Sequence, residues 1–339
     1  MKCLVTGAAG FLASHLCQTL VDNGHSVVGM DDLSGGFTEN VPEKVKFVKG
    51  SILDNDLLTE LFDQENFDYV YHLAAYAAEG LSHFIKRYNY MNNVVGSVNL
   101  INQSINHNIK CFVFTSSIAV YGEGRSPMTE DMIPMPTDSY GIAKFTVEQE
   151  LKATKHMFGM DYIIFRPHNI YGERQNLGDP YRNVVGIFMN LAMQGKALTI
   201  FGDGTQQRAF SYVGDIVGAM AASPEIPGAL NQIFNIGADK PYTVNELATL
   251  CCEVMGVPTT NVVHLPAREE VHVAYSDHSM AQEILRLEPK VGLKDGLQRV
   301  ANWAKAHGPM QGTPFSGIEV MKNMPPSWRK LMDAQAEKA

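Results

Sequence analysis

Cysteine and positive charge are both in short supply in this chain, and each shortage narrows its chemistry. Cys3, Cys17, Cys111, Cys251 and Cys252 show no C-x-x-C spacing and no neighbouring histidines of the zinc type. That pattern excludes a disulfide framework, predicts no metal site and fits a reducing compartment. Lysine and arginine number 27 against 36 aspartates and glutamates, for a net charge of -9. A protein built around a nucleic-acid backbone or an anionic membrane surface is therefore not expected. Long apolar runs are missing too: none approaches the roughly 18 residues of a membrane span. The opening "MKCLVTGAAG" is too short in its apolar part for a signal-peptide core and leads straight into a glycine turn, so a cytoplasmic location is expected.

What remains is a 339-residue chain, 45% hydrophobic and 19% charged, without repeats or low-complexity tracts. These values describe a globular protein of one large domain or two ordinary ones. Short apolar runs at 2–7, 26–31, 44–50, 69–75, 111–117 and 161–167 alternate with amphipathic segments at 11–23, 56–64, 92–107 and 140–158. The alternation predicts an α/β fold, a doubly wound parallel sheet covered on both faces. After about residue 175 the pattern changes to Asn-, Gly- and Pro-rich loops, helices near 184–194 and 295–307, and one capped by Thr243. We expect a dinucleotide domain over 1–175 and a smaller lobe over 176–339, with the chain returning to the main sheet near 208–237. The tail from 309 is expected to pack peripherally and fray.

The stretch "VTGAAGFLASHL" sets Gly7, Gly10 and Ala13 between a predicted strand and a predicted helix. Glycines there permit a tight turn and close backbone approach to a pyrophosphate, which a helix N-terminus stabilises. Asp31 follows at the end of the second strand, where a carboxylate accepts from an adenosine ribose and repels a 2'-phosphate. NAD is therefore favoured over NADP, and "MDDLSGG" offers no Arg or Lys to reverse the preference. Asp32 is either a second ribose contact or a solvated turn residue.

In "SYGIAK", Tyr140 and Lys144 stand one helical turn apart and share a face. They lie downstream of Ser117, at the carboxyl edge of the predicted strand "CFVFTSS". With "TGAAGFLASHL", "HLAA", "TSSIAVYG", "FRPHNIYG" and "GDGTQQRAFSYVGD", this set resembles the extended short-chain dehydrogenase/reductase branch, the NAD-dependent sugar-nucleotide epimerase/dehydratase family, to about residue 307. The resemblance implies that Tyr140 is the proton acceptor, that Lys144 lowers its pKa and holds the nicotinamide ribose, and that Ser117 hydrogen-bonds the reacting hydroxyl. It implies NAD contacts at Gly7, Gly10, Phe11, Leu12, Asp31, Asp32, Ser34 and Gly35, at Ser51 and Ile52, and at Leu73, Ala74, Ala75, Asn93 and Pro167. Ser51 stands where the family usually has Asp.

Asn169, Arg208 and Arg268 match substrate-pyrophosphate positions, Arg268 one place out of register. Glu79 is a candidate sugar contact in the unusual 76–87 loop, beside His83. Dehydratases and decarboxylases of the family carry an acid in the segment matching 117–121, and other members a cysteine; here Ile118, Ala119 and Val120 stand there. The resemblance therefore implies a nucleotide-sugar 4-epimerase acting on a UDP-hexose, N-acetylated forms included, and working as a homodimer. A UDP-glucuronate or GDP-sugar enzyme, or a silent NAD-binding sensor, are the alternatives.

Overall fold

The computed structural model describes residues 1–124, 126–267, 271–312 and 315–336. Seven parallel strands make the central sheet: β1 (Lys2–Thr6), β2 (Ser26–Asp31), β3 (Lys46–Lys49), β4 (Tyr69–His72), β5 (Cys111–Thr115), β6 (Asp161–Pro167) and, from late in the chain, β11 (Gln232–Ile236). Their order across the sheet is β11-β6-β5-β4-β1-β2-β3. β5 is buried at every residue, which is why it reads as an unbroken apolar run and not as an alternation. The direction of winding reverses beside β1, between β2 and β4, and the carboxyl ends part there to open a crevice.

Seven short strands form three satellite pairings: β7 (Ile170–Tyr171) with β10 (Ser211–Tyr212), β8 (Leu198–Phe201) with β13 (Val262–Leu265), and β9 (Gln207–Ala209) between β12 (Pro241–Thr243) and β14 (Val273–Ala274). Helices begin where local chemistry starts them. Asp54 accepts from Leu57 N–H at the head of Asn55–Gln64, and a reciprocal Thr243–Glu246 capping box opens Val244–Met255, which Gly256 ends in the left-handed region. One large apolar core spans both halves of the sequence, joining Leu16 and Tyr71 to Phe188, Leu247 and Leu297.

Boundaries differ from the sequence expectation where the chain leaves the sheet. β4 ends at His72 and β5 at Thr115, so Leu73–Ala75 and Ser116–Ser117 are irregular backbone at the crevice rim. The segment expected as one helix over 92–107 is a π-helical turn Met91–Val95 followed by the helix Gly96–Asn106, and a short helix Lys86–Tyr90 leads into it. The tail departs most: a helix over Pro326–Ala336 folds back, and Trp328 is buried. No described helix is long and apolar enough to cross a membrane.

Candidate active site

A cleft of about 2010 Å³ follows the carboxyl edge of the sheet. One small-molecule ligand takes about 300–1,000 Å³, so the cleft has room for two. At one end, Gly7 leaves β1 with φ of +76°, and a Cβ there would lie 2.9 Å from Ala74 N. A Cβ on Gly10 would lie 3.0 Å from Gly7 O. The turn therefore closes only with glycine, and it aims the first amides of the helix Phe11–Asp22 into the cleft, where intrahelical partners are lacking. Asp31 ends β2 with Oδ2 accepting from Ala9 N–H at 3.1 Å and Oδ1 from Leu33 N–H at 2.7 Å. Burial raises its pKa and these N–H groups oppose the rise. A pyrophosphate cradle and a carboxylate beside it are what a dinucleotide's central pyrophosphate and its adenosine ribose require.

Asp32, Ser34, Gly35, Ile52, Leu73, Ala74, Ala75 and Pro167 line the same cleft. Ser51 does not: its hydroxyl accepts from Leu53 N–H at 3.2 Å in a turn. Nor does Asn93, which is buried with Oδ1 on Tyr76 N–H and Nδ2 on Tyr76 O and Asn89 Oδ1. It fixes the loop after β4 from behind, so any effect on a cofactor passes through that loop.

The catalytic candidates meet at the middle of the cleft. Asp138 caps the helix Ser139–Phe158, accepting from Gly141 N–H at 2.8 Å, and so sets Tyr140 and Lys144 in its first two turns beneath Ser117. Lys144 Nζ donates to Thr115 O at 2.8 Å and lies 5.8 Å from the centre of the Tyr140 ring. Desolvation pulls the Lys144 pKa down to about 7, against the attraction of Glu148. Desolvation raises Tyr140; the Ser117 hydroxyl and the Arg182 guanidinium lower it, while Glu79 and Asp138 raise it further. In the protein alone burial outweighs every nearby cation, so the phenol is protonated.

A buried bracket holds this helix to the sheet. Arg166 on β6 donates to both oxygens of Glu148, Nε at 2.9 Å and Nη2 at 2.6 Å, and Ser116 Oγ donates to Oε1 at 2.5 Å. Asn169 and Arg208 face the far wall. Asn169 Nδ2 donates to Ala209 O at 3.2 Å, and Arg208 spends N–H groups on Gln207 O, His272 O and Val271 O. Glu79 and His83 border the cleft near Tyr140. Arg268 lies outside the described residues.

The model of the NAD dependent epimerase/dehydratase family matches residues 3–237. The chain belongs to that family. Its cofactor is NAD. A putative UDP-glucose 4-epimerase of Methanocaldococcus jannaschii is 36% identical over 89% of this chain and 98% of its own length. A Thermotoga maritima UDP-glucose 4-epimerase, solved with UDP-glucose, superposes with TM-score 0.85 at 36% identity, covering 91% of this chain and 99% of that one. A UDP-N-acetylglucosamine 4-epimerase of Methanobrevibacter ruminantium M1, solved with UDP-N-acetylmuramic acid, does so with 0.84 at 30% identity, over 90% and 98%.

Sequence reasoning on the family's motifs missed several residues that shape this site. Asp138 carried a readable signal, an Asp at the N-cap position before "SYGIAK". Arg182, paired with Asp179 at 2.5 Å and 5.0 Å from the Tyr76 ring, matches no motif: Asp179 shapes its turn by accepting from Tyr181 and Arg182 N–H, and only the tertiary fold brings that turn to Tyr76.

Proposed function

We propose that this protein is a UDP-hexose 4-epimerase. The observation that carries the reading is the meeting of Ser117, Tyr140 and Lys144 at the middle of a cleft sized for two ligands, in a segment 117–122 that brings no acid or thiol to it. Bound NAD supplies a reversible hydride acceptor. Ser117 orients the sugar C4 hydroxyl, and Tyr140, shifted to its phenolate by the positive charge that bound NAD would add to the site, takes that proton as the carbonyl forms and returns it as the carbonyl is reduced. Lys144, in the protonated form that Glu148 favours against burial, places a positive charge near the phenol. Asn169 and Arg208 retain the nucleotide while the keto sugar turns over.

Two carboxylates, Glu79 and Asp138, act on the Tyr140 phenol. A uronate docked there would meet them with like charge, so a neutral hexose suits this end of the cleft better than a glucuronate. We assign cofactor binding to residues 1–175 and the nucleotide-sugar lobe to 176–339, with β11 returning to the sheet and with Ser117, Tyr140 and Asn169 serving the sugar nucleotide from the first domain. The protein is read as a cytoplasmic homodimer joined through the helices Gly96–Asn106 and Ser139–Phe158. Exposed Met91, Val95, Ile142, Met157 and Phe158, in and beside these helices, support that face.

Replacing Tyr140 with Phe tests the mechanism. NAD should stay bound, while epimerisation of UDP-glucose falls by at least about 100-fold, the scale of a lost general acid–base group. Turnover near the parent rate would remove Tyr140 from the role given it.

A further inference from the structure

The helix Leu293–His307 ends at Gly308, and the chain beyond turns back along the cleft, which Asn323, Met324 and Trp328 help to wall. About a tenth of this chain lies outside its match to relatives that are themselves almost wholly covered. Two kinds of contact fasten the returning segment. Backbone N–H groups of Glu319 and Val320 donate to Phe84 O at 2.8 and 3.1 Å. The Glu319 carboxylate then closes the first turn of the helix Lys86–Tyr90: Oε2 accepts from Arg87 N–H at 2.8 Å and Oε1 from Tyr88 N–H at 2.9 Å. Apolar packing completes the hold, with Met324 and Trp328 buried among Ala78, Leu81 and Ile85. The Trp328 ring meets Phe84 and Tyr181 edge to face.

The segment held in this way is the one that grips Tyr140. Ser82 Oγ accepts from Tyr140 N–H at 3.1 Å and donates to Glu79 O at 2.6 Å. Asn89 Nδ2 donates to Ser139 O at 2.8 Å. The first amides of a helix have no partners within it, so external acceptors decide where the first turn sits. Here that turn carries the phenol. We propose that Glu319 is a positioning residue for Tyr140: the C-terminal strap fixes residues 79–90, and these fix the start of the catalytic helix. The proposal rests on Tyr140 being the proton-transfer group. It predicts that the strap acts on the rate of the chemical step more than on nucleotide binding.

The test uses the full chain carrying NAD, with Glu319→Ala, Glu319→Gln and Ser82→Ala, followed by amide hydrogen exchange and by steady-state kinetics. In Glu319→Ala the amides of Arg87, Tyr88 and Tyr140 should exchange at least about tenfold faster while NAD stays bound and the central sheet keeps its protection. kcat should fall about tenfold with KM for the nucleotide sugar changed less than about threefold, since small misplacement of a reacting group costs rate first. Glu319→Gln keeps one acceptor and should fall between. Ser82→Ala should free the Tyr140 amide and lower kcat without opening Arg87 or Tyr88, which keeps the proposal testable if Glu319→Ala folds poorly. Opening of Arg87 and Tyr88 with parent-like exchange at Tyr140 and parent-like kcat would overturn it. The exchange arm needs no turnover, so it decides the positioning even if the protein epimerises no sugar nucleotide.

Discussion

At the scale of single residues, Lys144 shows what the site costs. An unfolded lysine titrates near 10.4, whereas burial brings folded Lys144 down to about 7. Between these values the unfolded chain holds a proton that the folded chain has released, so the stability of the nucleotide-free protein rises with pH across that window. Below about pH 7 both states carry the proton and the whole penalty, on the order of 4 kcal/mol, stands. Nucleotide-free Lys144→Met should therefore be more stable than the parent near pH 6. Its advantage should shrink as the pH approaches 10, as followed by urea unfolding at a series of pH values. A difference independent of pH would mean that Lys144 is not buried with a lowered pKa.

At the scale of elements, the catalytic helix is held by what lies beneath it as much as by its cap. Glu148 and Arg166 are both almost wholly buried. Glu148→Gln would leave the guanidinium without its counter-charge, and breaking such a pair costs about 3–5 kcal/mol. The denaturant midpoint should fall accordingly, and a shift under about 1 kcal/mol would show that the bracket is not structural.

The same scale explains what the sequence made legible. β1, β2 and β4–β6 are apolar runs bounded by turn residues, so composition alone marks them, and the Gly7–Gly10 turn follows from its position between strand and helix. β7, β9, β10, β12 and β14 are two or three residues long and have no period to read. The strap was legible only as a peripherally packed tail: Phe315 and Ile318 stand three apart and Met324 and Trp328 four apart, too few to set a period, and their partners lie mostly between residues 76 and 88. Tyr140 and Lys144 were legible as a helical pair. The bond from Tyr140 N–H to Ser82 was not, since it joins residues 58 apart.

For the whole molecule, the proposed dimer and the proposed reaction each make a direct prediction. If the helices Gly96–Asn106 and Ser139–Phe158 pair between two copies, a charged substitution such as Ile142→Glu should give a monomer by sedimentation where the parent runs as a dimer. An unchanged mass would place the interface elsewhere. The reaction is tested most directly by proton NMR with UDP-glucose deuterated at the sugar C4. The account predicts that UDP-galactose appears with its deuterium still at C4 and without accumulation of NADH, because the hydride leaves and returns within one cleft. Deuterium lost to solvent, net NADH, or no 4-epimer from UDP-glucose or UDP-N-acetylglucosamine would contradict it.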